Sequence, residues 1–429
     1  MRIIENIKVV KQYEKSLKLI LLWNLLFCLG FGVYSLLNNL YLKEVVSDLT
    51  IGGIVGAYYL SYAIFSFLSG IISDRMGSRK TIMIGLFILF FGCTGGALLE
   101  NIYLLYFCSV ITGIGHAFTN VIFVPLLTEY SNQEERKSLF NIAFASGTFF
   151  IFLGTLGAGL LAHFITNYFD TNIKVGIRIT LIIGNLLGTL SIIPLLRVGQ
   201  KFNQQKSAGS AMRPKADYSG SKGVIGKYGV SRFFEGFGVG MIIPFVNLFF
   251  TQRFHVDTTV VSLVISIATL ATVFMMLNNA KVTQRLGEVK AIILYQTIVM
   301  ISIFVMSLTL SIWLATFCFL FFRTMYYSVV PIASKIIMER INPSIKGFTS
   351  SIGSMCLTIG TSLASPLGRG IVAQYGNYKG YSITVMITIV ALIISTISFY
   401  SIIRKKKEMS NMFVILNKNK RKQRYVEDR

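Results

Sequence analysis

Charge is scarce in this chain and acidic charge scarcer still: only 14% of its 429 residues are charged, and 18 acidic residues face 41 basic ones. A soluble domain of this length carries about a quarter of its residues as Asp, Glu, Lys or Arg, so an aqueous fold is excluded and lipid is the solvent to reason with. Histidine occurs three times, at His116, His163 and His255, and no His-Glu-x-x-His, Gly-x-Ser-x-Gly or phosphate-loop pattern occurs anywhere. Enzymatic chemistry is therefore not expected, nor any cofactor or metal. The five cysteines (Cys28, Cys93, Cys108, Cys318 and Cys356) are odd in number and fall in apolar runs, which excludes a disulfide framework and makes them small packing residues. No cleavable signal is expected, because the first apolar run follows a Lys-rich leader, is long enough to span and lacks a small-residue cleavage site.

Apolar residues make up 53% of the chain. They fall into twelve runs long enough to cross a bilayer, near 19–42, 50–72, 81–99, 102–127, 140–163, 176–196, 226–251, 258–280, 290–310, 312–336, 347–373 and 380–403. The expected fold is an all-α integral membrane protein of twelve transmembrane helices in two six-helix halves. The expected units are an N-terminal half over 1–196, a linker over 197–225, a C-terminal half over 226–403 and a basic tail over 404–429. The linker has a Gly, Ser, Lys and Gln composition and contains Pro214. No separate soluble domain is expected.

A net charge of +23 in a soluble protein would suggest nucleic acid, but here the position of the charge decides. Lys43, Lys174, Arg178, Arg253, Arg369 and Lys379 lie on one side of the expected membrane and Arg323 inside a span, while the remaining Lys and Arg fall on the side of the termini. The positive-inside rule then places both termini in the cytoplasm, and nucleic acid is not needed. The lipid bilayer is the first partner, and a multi-pass protein of the cell membrane, acting as a monomer, is expected. The tail, with Arg404 to Lys407 next to the last span and Lys418, Lys420, Arg421, Lys422 and Arg424 beyond it, reads as a topology anchor or a segment lying on anionic lipid.

An internal repeat divides the chain. Gly-Phe-Gly-Val occurs at 30–33 and again at 236–239, and Arg75-Met76-Gly77 is echoed by Arg285-Leu286-Gly287. Each pair falls at an equivalent place in its half, the first span and the second hairpin. Parallel repeats of this kind belong to transporters whose halves are related by an axis along the membrane normal.

The turn Gly70-Ile71-Ile72-Ser73-Asp74-Arg75-Met76-Gly77-Ser78-Arg79-Lys80 is a tight charged reversal between two apolar runs. Its Gly, Asp-Arg, Gly and basic spacing resembles the loop between helices 2 and 3 of the major facilitator superfamily of secondary transporters. That resemblance implies a twelve-helix fold, transport of a small solute by alternating access with ion coupling, and a charge latch on the cytoplasmic side. The latch residues it implies are Asp74, Arg75, Gly77 and Arg79, with Glu129 as the acid at the inner end of helix 4 and Arg136, followed by Phe140, opening helix 5. In the second half Gln284 replaces the Asp, so the latch is expected to be stronger in the first half. Two departures concern coupling and direction: Ser109 stands where an Arg is often tied to protons, and Gly154-Thr155-Leu156-Gly157-Ala158-Gly159 lacks the Gly-Pro of drug antiporters, its glycines reading as helix-packing residues.

Charged or titratable groups within spans are the candidate cavity residues, since an isolated charge in hydrocarbon costs at least about 2.5 kcal/mol. His116, Asn120, Glu235 and Arg323 qualify. His116 reads either as a functional imidazole or as a hydrogen-bonded structural one. Glu235 either sits near the midplane and pairs with Arg323, or sits near the inner rim and pairs with Arg232 one turn earlier. The substrate expected first is an amphipathic or drug-like compound moved by efflux, together with protons. Uptake of a metabolite, and a receptor or regulatory protein of transporter form, are the alternatives.

Overall fold

Long uninterrupted apolar stretches leave the backbone no partner in lipid except itself, and the chain resolves them as helices. The structure is a computed structural model describing residues 13–199, 222–341 and 346–427. Its helices are α1 (Lys15–Lys43), α2 (Asp48–Met76), α3 (Ser78–Leu98), α4 (Ile102–Tyr130), α5 (Gln133–Tyr168) and α6 (Ile173–Leu190, resumed after Ser191 as Ile192–Leu196). The second half begins with α7 (Lys222–Gly240, resumed through a short 3-10 turn as Val246–Phe254), then α8 (Thr258–Leu286), α9 (Glu288–Leu308) and α10 (Ile312–Met338). A last continuous helical stretch, Lys346–Glu427, is broken at Gly376, whose φ of 77° is not helical. It therefore counts as α11 (346–375) and α12 (377–427). Eleven stretches are long and apolar enough to cross a membrane, the last of them 55 residues long; divided at Gly376, they make twelve.

The two halves repeat each other. Gly77 between α2 and α3 has φ 88° and ψ 149°, and Gly287 between α8 and α9 has φ 80° and ψ 152°. A side chain at either site would oppose this backbone conformation, which explains the echo of Arg-x-Gly in the two hairpins. Pro125 in α4 and Pro331 in α10 are a further matched pair. In the N-terminal half α1 packs on α5 and α6, α2 on α4, and α3 on α4 and α6; in the C-terminal half α7 packs on α11 and α12, and α10 on α8 and α9.

The Gly-Phe-Gly-Val echo is a coincidence of sequence two residues out of spatial register. The Asn39 side chain donates to the Pro244 carbonyl at 2.5 Å and the Asn247 side chain to the Leu36 carbonyl at 2.6 Å. One offset carries Asn39 onto Asn247 and Leu36 onto Pro244, and it carries Gly30 onto Gly238 rather than Gly236. Packing agrees: Gly30 faces Gly184 and Gly188 of α6, and Gly238 faces Thr388 and Ala391 of α12, the equivalent helix. Gly236 instead lies against Leu357 and Gly360 of α11. Glycine is selected at each of these sites because two helix backbones meet there.

The halves meet along α2 with α11 and α5 with α8, and at the second part of α7 with α1. Lys222 already lies in α7, so that helix starts four residues ahead of the expected boundary. Most of the expected linker, and the leader up to residue 12, lie outside the described residues. The tail continues α12 as backbone, and its side chains lie outside the described residues.

Candidate functional site

Hydrogen bonds between the halves are concentrated away from the end that carries the linker. Ser362 donates to the Gly56 carbonyl (2.8 Å), Thr259 to Gly159 (3.4 Å) and Ser266 to Phe152 (3.5 Å), in addition to the two reciprocal asparagine bonds. At the distal extreme the contacts become ionic. Asp48, in the first turn of α2 behind its N-cap Ser47, is bonded by Arg369 of α11 and by Lys43 at 3.0 Å. The Gln252 amide donates to both Asp48 oxygens (3.2 and 3.4 Å), while its carbonyl accepts from Arg369 (3.3 Å) and from the Tyr381 hydroxyl (3.0 Å). Arg369 also donates to Tyr381 Oη at 2.8 Å and lies over the Phe245 ring. Arg369 is 1% exposed. A buried guanidinium needs such a set of acceptors, because an uncompensated charge at this depth costs several kcal/mol. Arg369 falls near the outer end of the expected span 347–373; in the structure it lies within α11 and forms the centre of a lock between the halves.

Beneath this lock lies a cavity of about 420 Å³ that both halves line. Its walls are aromatic and apolar, with Phe31 and Tyr34 from α1, Tyr58 and Tyr59 from α2 and Tyr327 from α10. Neutral polar groups are numerous, with Ser, Thr or Asn at nine positions that include Ser35, Asn38, Ser109, Thr148 and Thr269, and Arg323 is the charged residue in the wall. His116 sits one bond behind the wall. It is 3% exposed, its Nδ1 is 2.9 Å from the Tyr58 hydroxyl, and the rings of Phe27, Phe31, Tyr34 and Tyr58 surround it within 6.2 Å. A second small pocket of about 30 Å³ touches His116 and shares Phe31 and Tyr34 with the first. Asn120 lines neither cavity and is exposed on α4.

The charged pair of the C-terminal half is local. Glu235 accepts from Arg232 at 2.6 Å across one helical turn, with Tyr326 of α10 nearby, and the expected pair with Arg323 does not form. Arg232 wins because it is one turn away on the same helix and costs no additional ordering of the backbone. Arg323 makes no ion pair among the described residues; its guanidinium lies 5.5 Å from the Tyr327 ring centroid.

At the linker end the family loop is present but not engaged. Asp74 and Arg75 are exposed and make no ion pair among the described residues. Arg79 instead caps α6, its Nε and Nη2 donating to the Leu195 and Leu196 carbonyls at 2.8 and 2.7 Å. Arg136 donates to the Thr128 carbonyl at 3.1 Å and not to Glu129, whose buried Oε2 has no hydrogen-bond partner. In this conformation the bonded hairpin is the one in the second half, where Lys335 of α10 holds Glu288, just past Gly287, at 2.5 Å. Glu288, four residues beyond Gln284, gives the second hairpin the acid that position 284 lacks.

Two membrane-embedded six-helix repeats around a shared central cavity, bonded to each other at one end, define the class: a secondary transporter built for alternating access. The chain belongs to the Major Facilitator Superfamily, which it matches over residues 20–217 and 228–413. It is 24% identical over 373 residues to Multidrug resistance protein 2 of Bacillus subtilis (strain 168), covering 83% of this chain and 88% of that protein. Among solved structures it is similar to the nucleoside transporter NupG (TM-score 0.71, 13% identity, 91% of this chain and 99% of that one). It is likewise similar to a bacterial homologue of the human lysosomal transporter Spinster in an inward-facing and occupied conformation (TM-score 0.70, 17% identity, 90% and 96%). A D-xylose–proton symporter aligns with TM-score 0.69 at 17% identity over 89% of this chain and 96% of that one.

Proposed function

We propose that this protein exports a small amphipathic compound from the cytoplasm by alternating access, driven by a coupled ion, and that the structure is its inward-facing state. The observation that carries the reading is the cavity: aromatic, nearly free of charge and covered distally by the Asp48–Arg369 lock. The aromatic and aliphatic parts of this wall gain affinity from burial of hydrophobic surface, at about 25 cal/mol per Å², and its Ser, Thr and Asn groups offer hydrogen bonds, which together fit an amphipathic solute. The multidrug name of the Bacillus subtilis relative points the same way. With both termini in the cytoplasm, as the basic residues argue, the linker end faces the cell interior and the lock faces outward.

In the opposite state the lock opens and the linker end closes. Asp74, Arg75 and Glu129, which make no ion pair among the described residues, are the groups assigned to that closure, while Gly77, Arg79 and Arg136 hold the hairpin and helix ends against which it forms. His116 is assigned to the coupling ion, because its imidazole touches the cavity wall through Tyr58 and can pass a proton to or from it. Everted membrane vesicles test the direction of transport. Energised vesicles containing the protein should accumulate an amphipathic dye, and accumulation should stop when the pH gradient is collapsed. Uptake by right-side-out vesicles and none by everted ones would favour metabolite import instead. Purified His116→Gln protein in liposomes should keep dye binding and lose its response to an imposed pH gradient.

A further inference from the structure

Several arginines in the helices are wholly or partly buried, and among the described residues all but one of these have an acceptor. Arg369 has Asp48, Arg232 has Glu235, Arg253 has the Ser307 and Thr309 carbonyls, and Arg136 has the Thr128 carbonyl. Arg323 stands apart. No hydrogen bond or ion pair joins it to any described residue, its Nε is buried without a partner, and the residues lining its cavity include no Asp and no Glu. Its position is central: eleven residues into α10, about 16 Å from the distal start of that helix at 1.5 Å per residue.

A guanidinium does not lose its proton in a protein, so this charge persists in every state of the cycle. Water can solvate it while the cavity is open. When the halves close over it that water is removed, and an unpaired ion so enclosed costs several kcal/mol. No described residue supplies a counter-charge, and the cargo is the group that can. The Arg323 guanidinium lies against the Tyr327 ring, Phe31, Tyr34, Tyr58 and Tyr59 line the same cavity, and Asn38 adds an amide with no hydrogen bond to another described residue. The complementary solute has an apolar, preferably aromatic body and a single oxyanion that a forked guanidinium can grip with two parallel hydrogen bonds.

We propose that Arg323 binds the anionic head of the substrate, and that the transported class is amphipathic monoanions carrying a carboxylate or sulfonate. This rests on the export reading above only for direction; the binding site itself is independent of it. Neutralising the charge with a bound anion is also what lets the cavity occlude, so cargo and closure are linked through one residue.

The test uses purified full-length protein and solutes matched in shape but not in charge: naphthaleneacetate and naphthalenesulfonate with their amides and the corresponding amine, and octanoate with octanamide and octylamine. Binding is read by calorimetry and by ligand-induced thermal shift. At least one acid should bind about tenfold or more tightly than its own amide and amine, as expected of a charge-assisted hydrogen bond. Arg323→Gln should abolish that preference, and Arg323→Lys should keep part of it. Arg323→Gln should melt no lower than the wild type without ligand, since it removes an unpaired charge; that separates loss of the site from loss of the fold. The assignment is overturned if an amine or amide binds as well as its acid, if no acid binds, or if the preference for acid survives in Arg323→Gln. Acid binding at Arg323 without export from proteoliposomes would uphold the site and overturn the export reading. Export of the amine with no acid bound would do the reverse.

Discussion

The two ends of the helix bundle solve the same problem with opposite economies of charge. At the distal end, Asp48, Arg369, Gln252 and Tyr381 satisfy one another in a buried cluster that spans both halves. At the linker end, Asp74 and Arg75 stand exposed and unpaired among the described residues, and Glu129 keeps a buried oxygen without a partner. On the alternating-access reading proposed above, charges satisfied at one end and idle at the other belong to one of two states. The energy that closes one end must be of the same order as that which closes the other, or the transporter would stop in one state. What is idle here is therefore the measure of the alternative conformation.

The largest effect should come from removing the centre of the distal lock. Arg369→Gln leaves Asp48 with Lys43 and the Gln252 amide but without its buried cation, and breaking a buried pair costs about 3–5 kcal/mol. The thermal midpoint of the purified protein should fall by several degrees, and single cysteines placed in the distal helix ends should label faster. In the double variant Asp48→Asn with Arg369→Gln much of the stability should return, because neither charge is stranded. A double variant no more stable than the single one would show that the cluster is not an ion pair in the energetic sense.

The reciprocal asparagines come next. Asn39→Leu removes a hydrogen bond and leaves the Pro244 carbonyl unpaired in the interface, a loss of about 1–3 kcal/mol. Asn247→Leu should cost the same within error, because the two bonds are related by the internal repeat. Unequal losses would mean that the halves are not energetically equivalent at this contact.

A smaller effect separates the loops at the distal end from the lock. Glu100, between α3 and α4, is held below the ordinary carboxylate value by hydrogen bonds from Lys174 at 2.8 Å and from Arg178. Because its pKa is lowered in the folded protein, its contribution to stability is complete above the ordinary carboxylate range. It is lost as pH falls through the folded-state value. Glu100→Gln should therefore be indistinguishable from wild type at low pH and slightly less stable at neutral pH, as read by thermal unfolding across a pH series. High salt should shrink the difference, since the group is exposed.

The smallest effect on this conformation should come from the linker end. Asp74→Asn touches an exposed, unpaired residue, so thermal stability should change by less than about 0.5 kcal/mol. On the proposed reading transport should nonetheless fall, since the closure assigned to Asp74 is not formed here. A large change in melting temperature would place Asp74 in the resting structure after all.

Much of the architecture was legible because lipid makes its demands locally. A run of apolar residues has one backbone solution, and helix number and the two-half division followed from run length and repeat alone. The glycine hairpin was legible for a similar reason: a backbone with φ near 80° and ψ near 150° is open to glycine and opposed by any Cβ, and both Gly77 and Gly287 adopt it. Legibility failed where a residue's meaning depends on a partner far away in the chain. Nothing within a few residues of Arg369 distinguishes it from a loop arginine; its acceptor is Asp48, 321 positions earlier. The spacing of Glu235 left two partners open, and only the packing of α7 against α10 shows that Arg232 takes it while Arg323 is left alone. The Gly-Phe-Gly-Val match misled by two residues, since identity of letters does not specify which glycine faces which helix.

The sequence by itself determined the solvent, the number of helices, the repeat and the residues able to carry charge into the membrane, since each of these is set by a residue and its near neighbours. Only the tertiary structure decided which of those charges are spent on holding the halves together and which one is left facing the cavity. Pairing is a property of distances between helices, and those distances are fixed by how glycine-lined faces pack across the whole bundle rather than by any one stretch of chain.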